Sequence, residues 1–202
     1  MPKGFSEREK TLIRQKLIEA GKKIFGTYGF KKASIDEAVA AAGISKGSFY
    51  QFFSSKAEFF MEVLESVEQE TRSELNEILA DGTLSPAARF KNFLHTSLQV
   101  MEQNPITSRI RQEDLHILLA DMPEGRLEEH MEHDMNFMLH FFREFKAGGG
   151  RKIPTAALKG FFMFLFFIFQ HKGDLAEEEY RAGMDLFIDM TARYFFPEYS
   201  VE

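Results

Sequence analysis

Ser34-Ile35-Asp36-Glu37-Ala38-Val39-Ala40-Ala41-Ala42-Gly43-Ile44-Ser45-Lys46-Gly47-Ser48-Phe49-Tyr50-Gln51-Phe52 is the stretch on which the fold turns. Ser34 is placed to cap a first short helix, because its hydroxyl can take a backbone amide that the opening turn leaves without a partner. Ala38 and Val39 face inward, and small side chains there let a second helix cross closely. Gly43 can adopt the left-handed backbone that stops the first helix, and Ile44 plugs the corner. Ser45 then caps a second helix that opens on Lys46, Gly47 and Ser48, small or basic residues, while Phe49 points back into the domain. Two helices joined by so tight a turn make a helix-turn-helix. In such a motif the start of the second helix lies at the base edges of the DNA major groove, where bulk would hold the backbone away. Its free amides and dipole also suit a phosphate.

Charge is distributed as that reading requires. The chain of 202 residues carries a net charge of -6, but residues 1 to 56 hold eleven Lys/Arg against five Asp/Glu and the remainder fourteen against twenty-six. A basic head on an acidic body fits a nucleic-acid-binding module joined to a part that binds none. With 44% hydrophobic and 28% charged residues the chain is globular. It has no cysteine, which excludes disulfides, thiolate nucleophiles and cysteine zinc sites. No apolar leader follows Met1, so a cytoplasmic location is expected. The longest apolar run, Phe161 to Phe169, is nine residues, whereas a membrane span needs about 20.

The rest of the chain reads as helix. The pattern of a capping Ser or Asp with Glu three residues later occurs at Ser6/Glu9, Ser34/Glu37, Ser55/Glu58 and Asp174/Glu177, and Ser85-Pro86 and Asn104-Pro105 mark further starts. Together they predict nine helices near 7–28, 34–42, 45–52, 55–80, 86–103, 105–120, 124–147, 154–172 and 175–195, with a loop at Gly148-Gly149-Gly150. Strands have no support, since no apolar-polar alternation is sustained. The expected architecture is all-α: a three-helix head over 1–54 and a larger helical domain over 55–202.

Gly43-Ile44-Ser45-Lys46-Gly47-Ser48-Phe49-Tyr50, followed by Phe53 and Ser55-Lys56, resembles the DNA-binding signature of the tetracycline-repressor (TetR) family. Phe25, Gly29 and Phe30 are similar to the aromatic-glycine-aromatic corner that ends the family's first helix, so the resemblance covers residues 8 to 60. It implies a homodimeric transcription regulator that binds a palindromic operator in double-stranded DNA. Position by position, it implies that Ser34 and Tyr50 grip phosphates through hydroxyls and Lys56 by charge. Lys46, Ser48 and Gln51 would lie nearest the bases, Gly47 would let the backbone approach, and Ser45 would both cap and contact. Two positions depart from the pattern. Ala38-Val39 stands where a large aliphatic usually precedes alanine, and Phe52 replaces a His or Tyr that donates to a phosphate, which a phenyl ring cannot do.

Beyond the head, nine consecutive apolar residues around the eighth helix exceed what one core can bury, and the ninth helix is similarly rich. Both suit a twofold dimer of four helices, which the resemblance also implies, with Phe162, Phe166, Phe169, Met184, Phe187 and Ile188 as interface candidates. Arg181, Asp185, Asp189 and Arg193 form one charged stripe along the ninth helix. Phe93, His95, Met101, His116, Met138 and Phe142 are candidates to line a pocket for an apolar or aromatic effector, a role that rests on the resemblance. His130, His133 and Asp134 invite a metal reading, but the buried face set by Met131, Met135, Met138 and Phe142 leaves them on or beside solvent, and no cofactor is expected. An enzyme finds no support in a Gly-rich phosphate loop or catalytic spacing. A DNA-bound adaptor that recruits a protein partner remains the competing use of the same fold.

Overall fold

The computed structural model describes residues 5–110, 112–146 and 153–197; Arg111 and the Gly148-Gly149-Gly150 interruption lie outside them. Among the described residues the protein is all helical: α1 (Glu7–Lys32), α2 (Ile35–Ala42), α3 (Lys46–Phe49), α4 (Lys56–Ala80), α5 (Pro86–Gln103), α6 (Gln112–Asp121), α7 (Arg126–Lys146), α8 (Thr155–Gln170) and α9 (Glu177–Phe195), with two single 3-10 turns at Thr107–Arg109 and Lys172–Asp174. No helix is long and apolar enough to cross a membrane.

Local chemistry sets most of these boundaries. Ser6 and Glu9 form the full reciprocal cap of α1. Glu9 reaches back to the Ser6 amide at 2.8 Å. α1 was expected to stop at 28. Instead, Gly29 swings to φ 71° and ψ 173°, and one more turn follows before Ala33. Only glycine adopts that backbone without strain. Gly43 closes α2 at φ 72°, with its own amide on the Ala40 carbonyl and the Ile44 amide on Val39, the paired bonds of a Schellman stop. Ser85 caps α5 through the Ala88 amide at 3.2 Å, as the Ser-Pro start implied.

Three expected caps fall elsewhere. The Ser34 hydroxyl takes the Asp36 amide, leaving no reciprocal partner at Glu37. Glu58 reaches Ser54, whose amide and hydroxyl it accepts at 2.5 and 2.6 Å, rather than Ser55. Glu179 accepts the Ala176 amide at 3.1 Å, so α9 starts two residues later than Asp174/Glu177 implied, and Asp174 faces His171 instead. The helix expected over 105–120 is broken. Asn104 Oδ1 takes the amides of Ile106 and Thr107 for itself, a 3-10 turn follows, and α6 begins beyond it.

Two compact units result. The first takes the chain up to Thr71 together with Met101–His130, and the second takes Arg72–Val100 together with the chain from Met131. A boundary at 54/55 therefore falls inside the first unit. Its core gathers α1, α2, α3, the first part of α4 and α6 around Phe25, Phe30, Phe49, Phe53, Phe59 and Phe60, all at most 4% exposed. Gly21 brings α1 against α4: a methyl there would sit 2.5 Å from Val63 Cγ2 and 2.7 Å from Phe59 Cζ. The second unit's core joins the buried faces of α5, α7, α8 and α9 around Phe90, Phe93, Phe141, Phe142, Phe195 and Phe196.

Candidate nucleic-acid interface

α3 has four residues, followed by a turn through Tyr50 that ends the second helix earlier than the expected residue 52. So short a helix cannot hold itself, because one turn fixes several dihedrals for a single hydrogen bond. Three attachments hold it. Ser45 Oγ accepts the Ser48 amide at 3.1 Å and shares a hydrogen with Ser48 Oγ at 2.9 Å. Phe49 is fully buried, with ring centroids 5.3 Å from Phe53 and 5.4 Å from Phe59. At the far end the Phe52 carbonyl accepts from Arg14 Nη1 at 3.2 Å.

With Phe49 turned inward, Ser45, Lys46, Gly47, Tyr50 and Gln51 are exposed and Ser48 is half-buried beside them. A cation, hydroxyls, an amide and a bare backbone thus share one surface, the chemistry that phosphates and base edges accept. Ser34 is half-buried and already occupied as the cap of α2. Ala38 and Val39 are both buried, so the displaced bulk at this pair still fills the α1–α2 contact.

Charge on this surface is not free-standing. Lys46 Nζ lies 3.0 Å from Asp36 Oδ1, joining the start of α3 to the start of α2. Lys56 is half-buried: its ammonium donates to the Lys31 carbonyl at 3.2 Å and lies 5.0 Å from the Phe30 ring centroid. Burial lowers its pKa, an effect that the Asp121 and Asp114 carboxylates of α6 only partly offset. Phe52, where a hydrogen-bond donor was missing, packs instead. Its ring is half-buried and meets Phe5 at 6.1 Å.

Sequence reasoning missed Arg14. Its guanidinium is paired with Glu62 through both nitrogen edges, with Nε 2.5 Å from Oε1, and its carbon stands 4.8 Å over the Phe53 ring. No local signal marks it, since the partner is 48 positions away. His130 also departs from expectation. It is buried at 9% exposure, with Nδ1 3.3 Å from Glu65 Oε1, and Arg126 grips the same carboxylate. Burial would raise the pKa of Glu65, but the hydrogen bonds of His130 and Arg126 overcome it and hold the carboxyl at about 2.

The six pocket candidates are not brought together. Phe93 and Phe142 are buried in the second unit's core and Met138 packs against it, while His95 is exposed near Asp185. Met101 and His116 belong to the first unit, and His116 is exposed. A cavity in the first unit, lined by Phe25, Phe30, Phe60, Arg109, Asp114 and Leu118 among others, includes none of the six. Its free space is about 10 Å³, room for one water.

The expected dimer face is rotated. Phe169, Met184 and Ile188 are buried at 6% exposure or less, Phe162 and Phe187 pack against the second unit's core, and of the six only Phe166 is exposed. The outward residues are Phe164 at 65% and Phe167 at 52% on α8, with Leu186 at 61%, Met190 at 62% and Tyr194 at 55% on α9. An unbroken apolar run has no periodicity from which the phase of its helix could be read.

A buried-anchor helix pair that turns small, basic and hydroxylic groups outward defines a helix-turn-helix DNA-binding head on an all-α protein. Residues 17–63 match the model of the bacterial regulatory proteins of the tetR family. The chain belongs to that family of DNA-binding transcriptional regulators. It is 29% identical over 93 residues to the HTH-type transcriptional repressor DhaR of Mycobacterium sp. (strain GP1), a match spanning 46% of this chain and 47% of DhaR. The chain thus spans about half the length of the curated relatives it matches first. A longer match, 25% over 148 residues, 73% of this chain and 75% of the relative, is to the nucleoid occlusion factor SlmA of Photobacterium profundum. Among solved structures, regulatory protein TetR from Rhodobacter sphaeroides aligns over 91% of this chain and 99% of its own at 25% identity, with a TM-score of 0.59. A TetR-family regulator from Pectobacterium atrosepticum shares the fold at a TM-score of 0.74 and 18% identity, over 95% of this chain and 97% of its own.

Proposed function

We propose that this protein is a transcriptional repressor that binds a palindromic operator as a homodimer and is released by an apolar or aromatic small molecule. The observation that carries the DNA half of this reading is the exposed cluster Ser45, Lys46, Gly47, Ser48, Tyr50 and Gln51, held outward by the buried Phe49. Lys46, Ser48 and Gln51 read base edges, while Ser34, Tyr50 and Lys56 hold phosphates, Lys56 by exchanging the Lys31 carbonyl for a phosphate oxygen. The dimer half rests on Phe164, Phe167, Leu186, Met190 and Tyr194, large apolar side chains exposed at helical spacing on α8 and α9. A second copy covering them by twofold symmetry spaces two recognition helices for a palindrome. Release follows if the effector prefers a dimer whose heads are wrongly spaced, a coupling of ~1–3 kcal/mol.

Selection of random duplex DNA on the purified chain tests the reading. Enrichment of one palindrome supports it, and Met190→Glu, which puts a charge into the proposed interface, abolishes that enrichment while the protein sediments as a monomer. Retention of DNA without sequence preference counts against it. A second reading, an adaptor that stays on DNA and engages a protein, draws on the SlmA match, the longer of the two relatives. It is favoured if the selected palindrome is held unchanged across a panel of apolar and aromatic compounds.

A further inference from the structure

We propose that Arg14 is a positioning residue for DNA recognition: it fixes where the base-reading surface of α3 stands without touching DNA itself. The inference rests on the reading of α3 as the recognition helix. Of the three attachments that hold this four-residue helix, Ser45 and Phe49 were legible in the sequence, and Arg14 supplies the third. The carbonyls at a helix end have no partner within the helix. Arg14 Nη1 provides one to Phe52 and so ties down the end of the turn that carries Tyr50 and Gln51.

A long flexible side chain would hold nothing unless it were held in turn. Glu62 does this, taking Nε at 2.5 Å and Nη2 on its two carboxylate oxygens, so the guanidinium plane is set by a fork-to-fork pair. The Phe53 ring, 1% exposed, supports the other side of that plane at 4.8 Å. One guanidinium therefore joins α1, α4 and the end of the recognition turn. Arginine is required for this, since a lysine ammonium cannot span both a carboxylate edge and a carbonyl in one plane.

The rival role for an arginine in a DNA-binding head is a direct phosphate contact, and the two roles give opposite signs for Glu62→Gln. If Arg14 positions α3, Glu62→Gln loosens it and weakens binding to the selected operator about ten-fold, the cost of roughly one misread base pair. Binding to a scrambled duplex of equal length stays unchanged. If Arg14 grips a phosphate, Glu62→Gln frees the guanidinium and removes a nearby negative charge, so both duplexes bind more tightly.

The measurement is operator and scrambled-duplex affinity for the full chain, wild type, Glu62→Gln, Arg14→Lys and the double variant, across a range of salt. The proposal expects both single variants to lose operator affinity, the double to lose no more than either, and the slope of affinity against salt to stay constant. Arg14→Lys keeps the charge and so serves if Glu62→Gln fails to fold. Equal loss on both duplexes, tighter binding by Glu62→Gln, or unchanged operator binding by both variants overturns it. A wild-type chain that selects no operator overturns the proposed function, and this inference with it.

Discussion

Both compact units are built on phenylalanine, but they use it differently. In the first unit the rings of Phe25, Phe30, Phe49, Phe53, Phe59 and Phe60 lie among backbone positions that tolerate one residue type only: Gly29 and Gly43 with positive φ, and Gly21 with no room for a methyl. In the second unit the rings mainly meet each other. Phe90 touches Phe141, Phe142, Phe195 and Phe196 at centroid distances of 5.3 to 6.1 Å, and Gly160, Gly173 and Gly183 have nothing within 4 Å of where a side chain would begin. The first unit is constrained by backbone geometry, which leaves a motif in the sequence. The second is constrained by volume, which many sequences can satisfy.

The largest effect that could break this contrast is at Phe90. Phe90→Ala should cost about 3–5 kcal/mol by urea denaturation, and Phe90→Leu under about 1.5 kcal/mol because neighbouring rings repack. A Leu variant as damaged as the Ala variant would mean that the second core is as exacting as the first. Next comes glycine. Gly21→Ala should destabilise by about 1–3 kcal/mol, since Val63 and Phe59 are buried and cannot yield. Gly183→Ala, exposed on α9, should stabilise by about 0.5–1 kcal/mol through helix propensity.

The smallest effect concerns pH. Burial works against the Glu65 carboxylate, but His130 and Arg126 hold its pKa at about 2 against an ordinary 4.5. The folded carboxyl thus binds its proton less readily than the unfolded one. Its contribution to stability is complete above about pH 4.5 and is lost as pH falls toward 2. Wild type should therefore lose more stability between those values than Glu65→Gln in parallel denaturant titrations, and parallel curves would remove the network from the account.

What could be read from the sequence followed the same contrast. Ser6/Glu9, Gly43 and the inward Phe49 are decided by neighbours within five residues, and each stands as expected. Where neighbours compete, the reading slipped by a turn. Glu177, Glu178 and Glu179 offer three registers for one cap, and only packing chose Glu179. Asn104 and Pro105 promised a helix start, but the Asn side chain satisfied the amides that would have opened it. His130 looked solvated because the carboxylates that bury it lie on α4, more than 60 residues back. Arg14 was invisible for the same reason. On α8 the failure was one of phase, since a run without polar residues does not say which side faces in.

Gly21 has a mechanical corollary. Because α4 side chains rest directly on the backbone of α1, with no side chain between to act as a cushion, the two helices have no play. Phe59 touches that joint and, 5.4 Å away, the Phe49 ring that seats α3. Torque applied along α4 is thus delivered to the recognition turn through solid contact, as through a gear train without backlash, and a rotation of a few degrees arrives undiminished rather than being absorbed on the way.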